Sequence, residues 1–264
     1  MLEKITKGRK VRPRRTVVYG VHGIGKSTFS SQWPEPIFIA TEDGIADLDV
    51  SSFPLCTTLI EAYQAVIELG GGDHSFKTVV IDSADWLERL IWKQLCQKEG
   101  KKSIVDFGFG TGYGKAEAAM GDILTALNYC RDIGMHVIMI AHCDISTFKN
   151  PEGDSYDRYA PKLHKGTSSL IQEWADEVLF VNYRTHVRKT DIDGFNKDGR
   201  GVGVGAGERV IYTTERPGRL AKNRIVGLPE EIEMSFAAYS QYLANPEKPK
   251  APVVKEVSEE SSLG

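Results

Sequence analysis

One octapeptide constrains this chain more than anything else in it. Gly20-Val-His-Gly-Ile-Gly-Lys-Ser27 fits the pattern of glycine, four residues, then Gly-Lys-Ser. A β-rich run over 16–19 leads into it and a helical run over 26–33 leaves it, the context that gives the pattern its meaning. The glycines let successive backbone N–H groups turn inward around a phosphate, and the start of the helix adds its positive end. Gly20, Val21, His22, Gly23, Ile24, Gly25, Lys26, Ser27 and Thr28 are therefore the candidate nucleotide-binding residues. Lys26 is expected at the β and γ phosphates of ATP, and the Ser27 hydroxyl on Mg²⁺. His22 otherwise reads as an ordinary loop side chain.

Short β-rich runs alternate with longer helical stretches along the chain. The strand candidates are 16–19, 37–40, 78–81, 136–141 and 177–183; the helix candidates are 26–33, 59–69, 83–98, 115–133 and 167–174. Apolar strands separated by helices predict an α/β fold, a mainly parallel sheet covered on both faces. Shorter β-like pieces over 185–221, clearest at 210–213, predict an antiparallel edge. Glycine accounts for 26 of the 264 residues, above the usual level of about 7%. Phe107-Gly-Phe-Gly-Thr-Gly-Tyr-Gly114 and Gly199-Arg-Gly-Val-Gly-Val-Gly-Ala-Gly207 place it at every second position. Alternate glycines strip one face of a strand, so both segments are expected as mobile loops or hairpin tips.

The ends of the chain differ from its body. Residues 1–15 carry Lys4, Lys7, Arg9, Lys10, Arg12, Arg14 and Arg15 against a single Glu3 and read as a basic arm,. Residues 244–264 are proline-rich with an acidic end and read as a disordered tail. The folded body is expected over 16–243. With 41% hydrophobic and 26% charged residues, wholesale disorder is excluded,. No apolar run approaches the roughly 18 residues of a membrane span, and the basic start has no apolar stretch behind it, unlike a secretory signal. Cys56, Cys96, Cys130 and Cys143 lie 40, 34 and 13 residues apart without a CxxC pair. That spacing predicts reduced thiols in a cytoplasmic protein rather than a zinc site or a disulfide frame. A net charge of −3 implies no strong nucleic-acid affinity by itself.

A phosphate loop needs an acid across from it to hold the magnesium. Lys77-Thr-Val-Val-Ile-Asp82 is a buried-strand pattern ending in a carboxylate, which is costly unless something charged sits beside it. Asp82 is the candidate; Asp85, the fallback, is expected on a helix surface. Hydrolysis also needs a group to polarise the attacking water. Glu42, in Ile37-Phe-Ile-Ala-Thr-Glu-Asp-Gly44, ends the next strand at the carboxyl edge of the sheet, where α/β sheets meet their ligands. Asp43 competes with it for that role.

These pieces, in this order, resemble the RecA-like branch of P-loop ATPases. That branch has a glutamate at the end of the strand after the P-loop helix, an aspartate followed by serine, and a polar sensor ending the next apolar strand. His136-Val-Ile-Met-Ile-Ala-His142 puts His142 at the sensor position. RecA itself carries glutamine there; the histidine looks like phage-encoded relatives. Thr-Glu-Asp-Gly, Val-Val-Ile-Asp-Ser, the first glycine-rich run, Ile-Ala-His and Arg219-Leu-Ala-Lys-Asn-Arg-Ile-Val-Gly-Leu-Pro229 are similar to that group as well. The resemblance covers about 16–235. It implies ATP and Mg²⁺ as cofactors, a γ-phosphate sensor in His142, a homo-oligomer in rings or filaments, and work in phage recombination or single-strand annealing in the host bacterial cytoplasm. It also implies that Lys222 and Arg224 reach the γ-phosphate bound by a neighbouring subunit, in the manner of an arginine finger. A basic turn before Pro229 is the plainer reading of the same residues.

Two loops are expected on the side where RecA relatives hold single-stranded DNA. The first, over 100–115, carries Lys101, Lys102, Phe107, Phe109, Tyr113 and Lys115. The second, over 144–167, carries Phe148, Lys149, Tyr156, Arg158, Tyr159, Lys162, His164 and Lys165. Rings interleaved with cations suit single strands, because rings stack on bases while cations track phosphates. Asp144, Glu152, Asp154 and Asp157 weaken the field of the second. The leading expectation is a DNA-dependent ATPase that promotes annealing or strand exchange, working with a single-strand binding protein or a replication protein. A helicase loader or other partner switch acting on protein is the alternative. A small-molecule kinase ranks last, since no arginine-rich lid stands between Ser83 and His142.

Overall fold

The computed structural model describes residues 12–184, 186–189, 201–204 and 207–244, together with Glu3, Ile5, Lys7 and Gly8. The expected tail beyond Ala244 and most of the basic arm lie outside them.

The strands form where branched and aromatic residues run together. β1 (Arg15–Gly20), β2 (Pro36–Ala40), β4 (Thr78–Asp82), β5 (His136–Phe148) and β7 (Glu177–Tyr183) pair in parallel in the order β7–β1–β5–β4–β2, with the two-residue β3 (Ser51–Ser52) beyond β2. β10 (Arg209–Tyr212) and β11 (Glu231–Glu233) add an antiparallel edge next to β7. β6 (Tyr156–Pro161) folds back on the end of β5, which completes nine strands in this sheet. The mainly parallel sheet with an antiparallel edge is the architecture expected from the sequence, that of a P-loop nucleoside-triphosphatase core.

Period-two alternation sends each strand's side chains to opposite faces. Val17, Tyr19, Ile39, Val79, Ile81, Val137, Met139 and Phe180 pack under α2 (Leu59–Gly71), α3 (Ala84–Lys98), α4 (Thr111–Asp132) and α5 (Lys165–Trp174). Val18, Phe38, Val80, Ile138, Ile140, Leu179 and Val181 pack against α1 (Lys26–Ser31) and α6 (Phe236–Ala244), through Phe29, Trp33 and Tyr239. α6 was not foreseen. Its Tyr239 is fully buried and donates its hydroxyl proton to Glu177, a carboxyl whose pKa burial pushes up. Arg15 belongs to β1 rather than to a free arm, and the Arg14 backbone N–H is bonded to His136. Among the described residues no helix is long and apolar enough to cross a membrane.

Three expectations about irregular segments are corrected. The first glycine-rich run is not a loop throughout: a 3-10 turn at Ile104–Phe107 leads directly into α4, which begins at Thr111 and contains Gly112 and Gly114. Gly112 is there for close approach, since a Cβ on it would stand 2.6 Å from the Ile104 carbonyl oxygen and 2.9 Å from the Phe107 ring. The segment after the sensor strand is a β-hairpin, because β5 runs on to Phe148 and pairs with β6 over Cys143–Phe148. Thr147 donates to Asp157 at 2.7 Å and Phe148 packs on Tyr156 at 5.3 Å between ring centres, which stiffens it,. In the second glycine-rich run, Gly201–Val204 is strand β9, paired with β8 (His186–Lys189); the rest, apart from Gly207, lies outside the described residues.

Candidate active site

Parallel register lines up the carboxyl ends of the central strands. Gly20 of β1 is level with His142 of β5, Ile140 of β5 with Asp82 of β4, and Asp82 with Ala40 of β2. One residue further on, the Thr41 N–H donates to the Asp82 carbonyl at 2.7 Å, and its hydroxyl exchanges hydrogen bonds with the Ser83 backbone. The chain therefore delivers the P-loop, His142, Asp82 and Glu42 to one edge as a consequence of strand order. A cavity of about 400 Å³ opens there, lined by Lys26, Ser27, Thr28, Glu42, Asp82 and His142 among others.

The P-loop holds its shape through backbone that only glycine adopts readily. Gly23 and Gly25 have φ of 71° and 99°, in the left-handed region. Gly20 packs face-on against Val181 of β7, where a Cβ would meet the carbonyl oxygen. The Lys26 ammonium donates to the Gly20 and Val21 carbonyls at 3.1 and 3.0 Å. Burial lowers its pKa, with Asp82 opposing the drop. Ser27 Oγ donates to Asp82 Oδ2 at 2.6 Å. Burial raises the Asp82 pKa, and the Ser27 hydrogen bond only partly offsets this. The buried Asp82 carboxyl group beside the Ser27 hydroxyl is a pair of hard oxygen donors suited to a cation,.

Mg²⁺ fits that pair. Among the described residues no group of three or more His, Cys, Asp or Glu side chains could hold a metal. Ser27 and Asp82 would hold the ion, leaving its other positions to nucleotide oxygens and water, its usual manner of binding.

His142, midway along β5, is held from α3 by a buried carboxylate. Asp85 accepts from the His142 backbone N–H at 3.0 Å and from the ring Nδ1 at 3.0 Å. Asp85 is 3% exposed, not on the helix surface as expected. Burial pushes its pKa up, but the hydrogen bonds from His142 outweigh it and the net shift is downward. An ionised Asp85 only accepts, so Nδ1 carries the proton and Nε2 is left for the ligand. Glu42 Oε1 stands 3.9 Å from the same Nδ1. His22 is not an idle loop residue: its ring stacks on His142 at 4.1 Å. That neighbour lowers the His22 pKa.

The other candidates are placed as follows. Phe107 is 8% exposed in a small cluster with Cys96 and Ile104, so it cannot stack on a base. Tyr113 lies flat on His164 at 4.0 Å and edge-on to Trp92. Lys115 is paired with Glu99, and Arg158 lies over Phe148 and is paired with Glu215 at 2.9 Å. Phe109, with φ of 50°, stands fully exposed between two left-handed glycines. Lys101, Lys102, Lys149, Lys162 and Lys165 are exposed and Tyr156 is partly so. Lys222 and Arg224 are far along the sheet from their own P-loop, at the amino edge. Lys222 pairs with Val178 through the backbone and gives its ammonium to the Gln172 and Ala175 carbonyls. Arg224 bonds Asp176 at 3.0 Å, a carboxylate shared with Arg15 and Arg131.

A sequence model for a family described as an AAA domain matches residues 12–225. The chain belongs to the AAA-domain family. The match spans every phosphate-site residue named above and marks an ATPase-type, nucleotide-binding domain. No curated protein matches the chain. In AAA-domain terms, what sequence reading missed here is Asp85 and the His22 ring. Asp85 had a signal, a carboxylate in the first turn of a helix that leaves the catalytic edge; the His22 stack had none.

Proposed function

We propose that this AAA-domain protein is a RecA-like ATPase that binds single-stranded DNA and promotes annealing or strand exchange in phage recombination. ATP is bound between subunits of a head-to-tail assembly. Within the site, Lys26 and the P-loop amides hold the phosphates, and Glu42 takes the proton of the attacking water. His142 Nε2 reads the terminal phosphate, with its ring fixed by Asp85. Bound Mg²⁺ would offset the phosphate charge. Arg224 and Lys222 serve a neighbour's site. Support for that comes from three guanidiniums sharing Asp176, a surplus of positive charge on an edge remote from the protomer's own P-loop.

One observation carries the reading. β5 bears His142 at the phosphate edge and continues unbroken into the hairpin that bears Phe148, Lys149, Tyr156, Arg158 and, just past it, Lys162. Loss of the γ-phosphate therefore acts on the same strand that would carry the nucleic acid. A second link runs through α3. Asp85 holds His142, and one turn later Glu88 accepts from the His164 N–H at 3.0 Å, beside Tyr113 and the Phe109 turn.

The test is fluorescence anisotropy of a labelled single-stranded oligonucleotide with a non-hydrolysable ATP analogue, at several salt concentrations. Salt-sensitive binding that needs nucleotide and weakens on F109A or K149A/K162A is expected, since phosphate contacts release counterions and each stack contributes about 1–3 kcal/mol. Absence of binding would remove the DNA claim. One observation favours the partner-switch reading instead. Ile60, Tyr63 and Ile67 are exposed on one stripe of α2, and Tyr129 of α4, which packs beside it, and Ile133 just past the end of α4 are exposed as well. In that case DNA has no effect and a protein ligand needs those side chains.

A further inference from the structure

Arg209 opens β10, and its guanidinium reaches the phosphate loop. Nη1 lies 2.9 Å from where a Cβ on Gly25 would stand, and Thr28 Cβ is 4.0 Å from the same point. The other arginines of this edge are engaged with carboxylates: Arg184 with Glu208 and Glu231, Arg216 and Arg219 with Glu230. Arg209 is exposed and has no ion pair among the described residues. A second cation brought to the loop that already buries the Lys26 ammonium repels it until an anion lies between them. A guanidinium, always charged and with a planar fork of donors, suits a phosphate in that position.

Strand order says which phosphate. Asp82, His142 and Glu42 follow β4, β5 and β2, all on one side of β1; β10 lies on the other side, beyond β7. The terminal phosphate belongs with the first three groups. The opposite end of the triphosphate then lies toward β7 and β10, over Gly25 and Thr28. We propose that Arg209 is a nucleotide-binding residue that pairs with the α-phosphate within its own protomer. This role is separate from that of Lys222 and Arg224 toward a neighbour, and it rests on reading the site as an ATP site.

Isothermal titration calorimetry of ATP, ADP and inorganic tripolyphosphate into the full chain, R209A and R209K tests it. R209A is expected to weaken all three ligands alike, by about tenfold or more as for loss of a charge-assisted hydrogen bond. R209K should recover part of the loss. Thermal unfolding without ligand should match the unaltered chain, because the side chain is exposed. Equal affinities in R209A and the unaltered chain overturn the proposal alone. A loss confined to ATP would put Arg209 at the γ-phosphate, and a loss sparing tripolyphosphate would put it at the base; either overturns the α-phosphate assignment. An unaltered chain that binds none of the three overturns the nucleotide reading, and this proposal with it.

Discussion

Asp85 shows how one side chain can give a ring on a sheet strand a defined polarity. By accepting from both the backbone and the ring of His142, it sets which imidazole nitrogen is left for the cavity at the phosphate loop. D85N keeps the shape but removes the charge that fixes the tautomer. Turnover is expected to fall about 10- to 100-fold, the range for a charge-assisted hydrogen bond of roughly 1.5–3 kcal/mol. The affinity for ATP, held by the P-loop, should change by less than about threefold. Steady-state kinetics beside equilibrium binding separates the two; an affinity loss as large as the rate loss would mean that Asp85 shapes the pocket instead. The common edge on which Lys26, Ser27, Asp82 and Glu42 stand was legible in the sequence because each sits in a local pattern tied to a strand end. Asp85 left a signal in the first turn of α3 but was placed on the helix surface, and Arg209 left none, because its part depends on a strand pairing that no local pattern encodes.

At the scale of elements, the parallel strands and their helices were readable from apolar runs, and their bounds agree within a few residues except at the end of β5, which runs on to Phe148 instead of stopping at Ala141. Where the reading failed, tertiary contact overrode local composition. Alternating glycine in 107–114 looks like a loop, yet Gly112 lets the 3-10 turn pack against the first turn of α4. G112A is expected to destabilise the fold by about 1–3 kcal/mol, as overpacking does, with the urea midpoint lowered and the slope unchanged. G114A, which has nothing within 4 Å of its Cβ, should be neutral or slightly stabilising, as a helix-interior Gly-to-Ala change usually is. The β5–β6 hairpin was expected as a loop, with its mixed charges and interleaved rings. Cross-strand pairing needs the partner strand to be seen at the same time.

Across the whole molecule, the carboxyl edge of the sheet carries the phosphate loop and Arg224 lies at the amino edge beside Asp176. If sites are shared head to tail, K26A and R224A should each be almost inactive alone, the latter by about 10³-fold as for a missing arginine finger. Mixing them should restore part of the turnover; inactive mixtures would place Arg224 in a structural role with Asp176. The core also carries a pH limit. His136 accepts a hydrogen bond from the Arg14 N–H at 3.1 Å, and burial, with Arg14 adding to it, lowers its pKa to about 4. The folded state therefore binds fewer protons than the unfolded one below about pH 6.5. Stability is full above that pH and falls as pH drops toward 4, by up to roughly 3 kcal/mol. Urea titrations of the unaltered chain and H136Q across pH 4–7 should show the slope reduced in the variant.

The most direct measurement is steady-state ATP hydrolysis by the full chain with and without single-stranded DNA, with duplex DNA and the E42Q variant as controls. A several-fold rise with single strands only, abolished in E42Q, is the expected result. A rate indifferent to single strands would contradict the coupling of His142 to the hairpin beyond it.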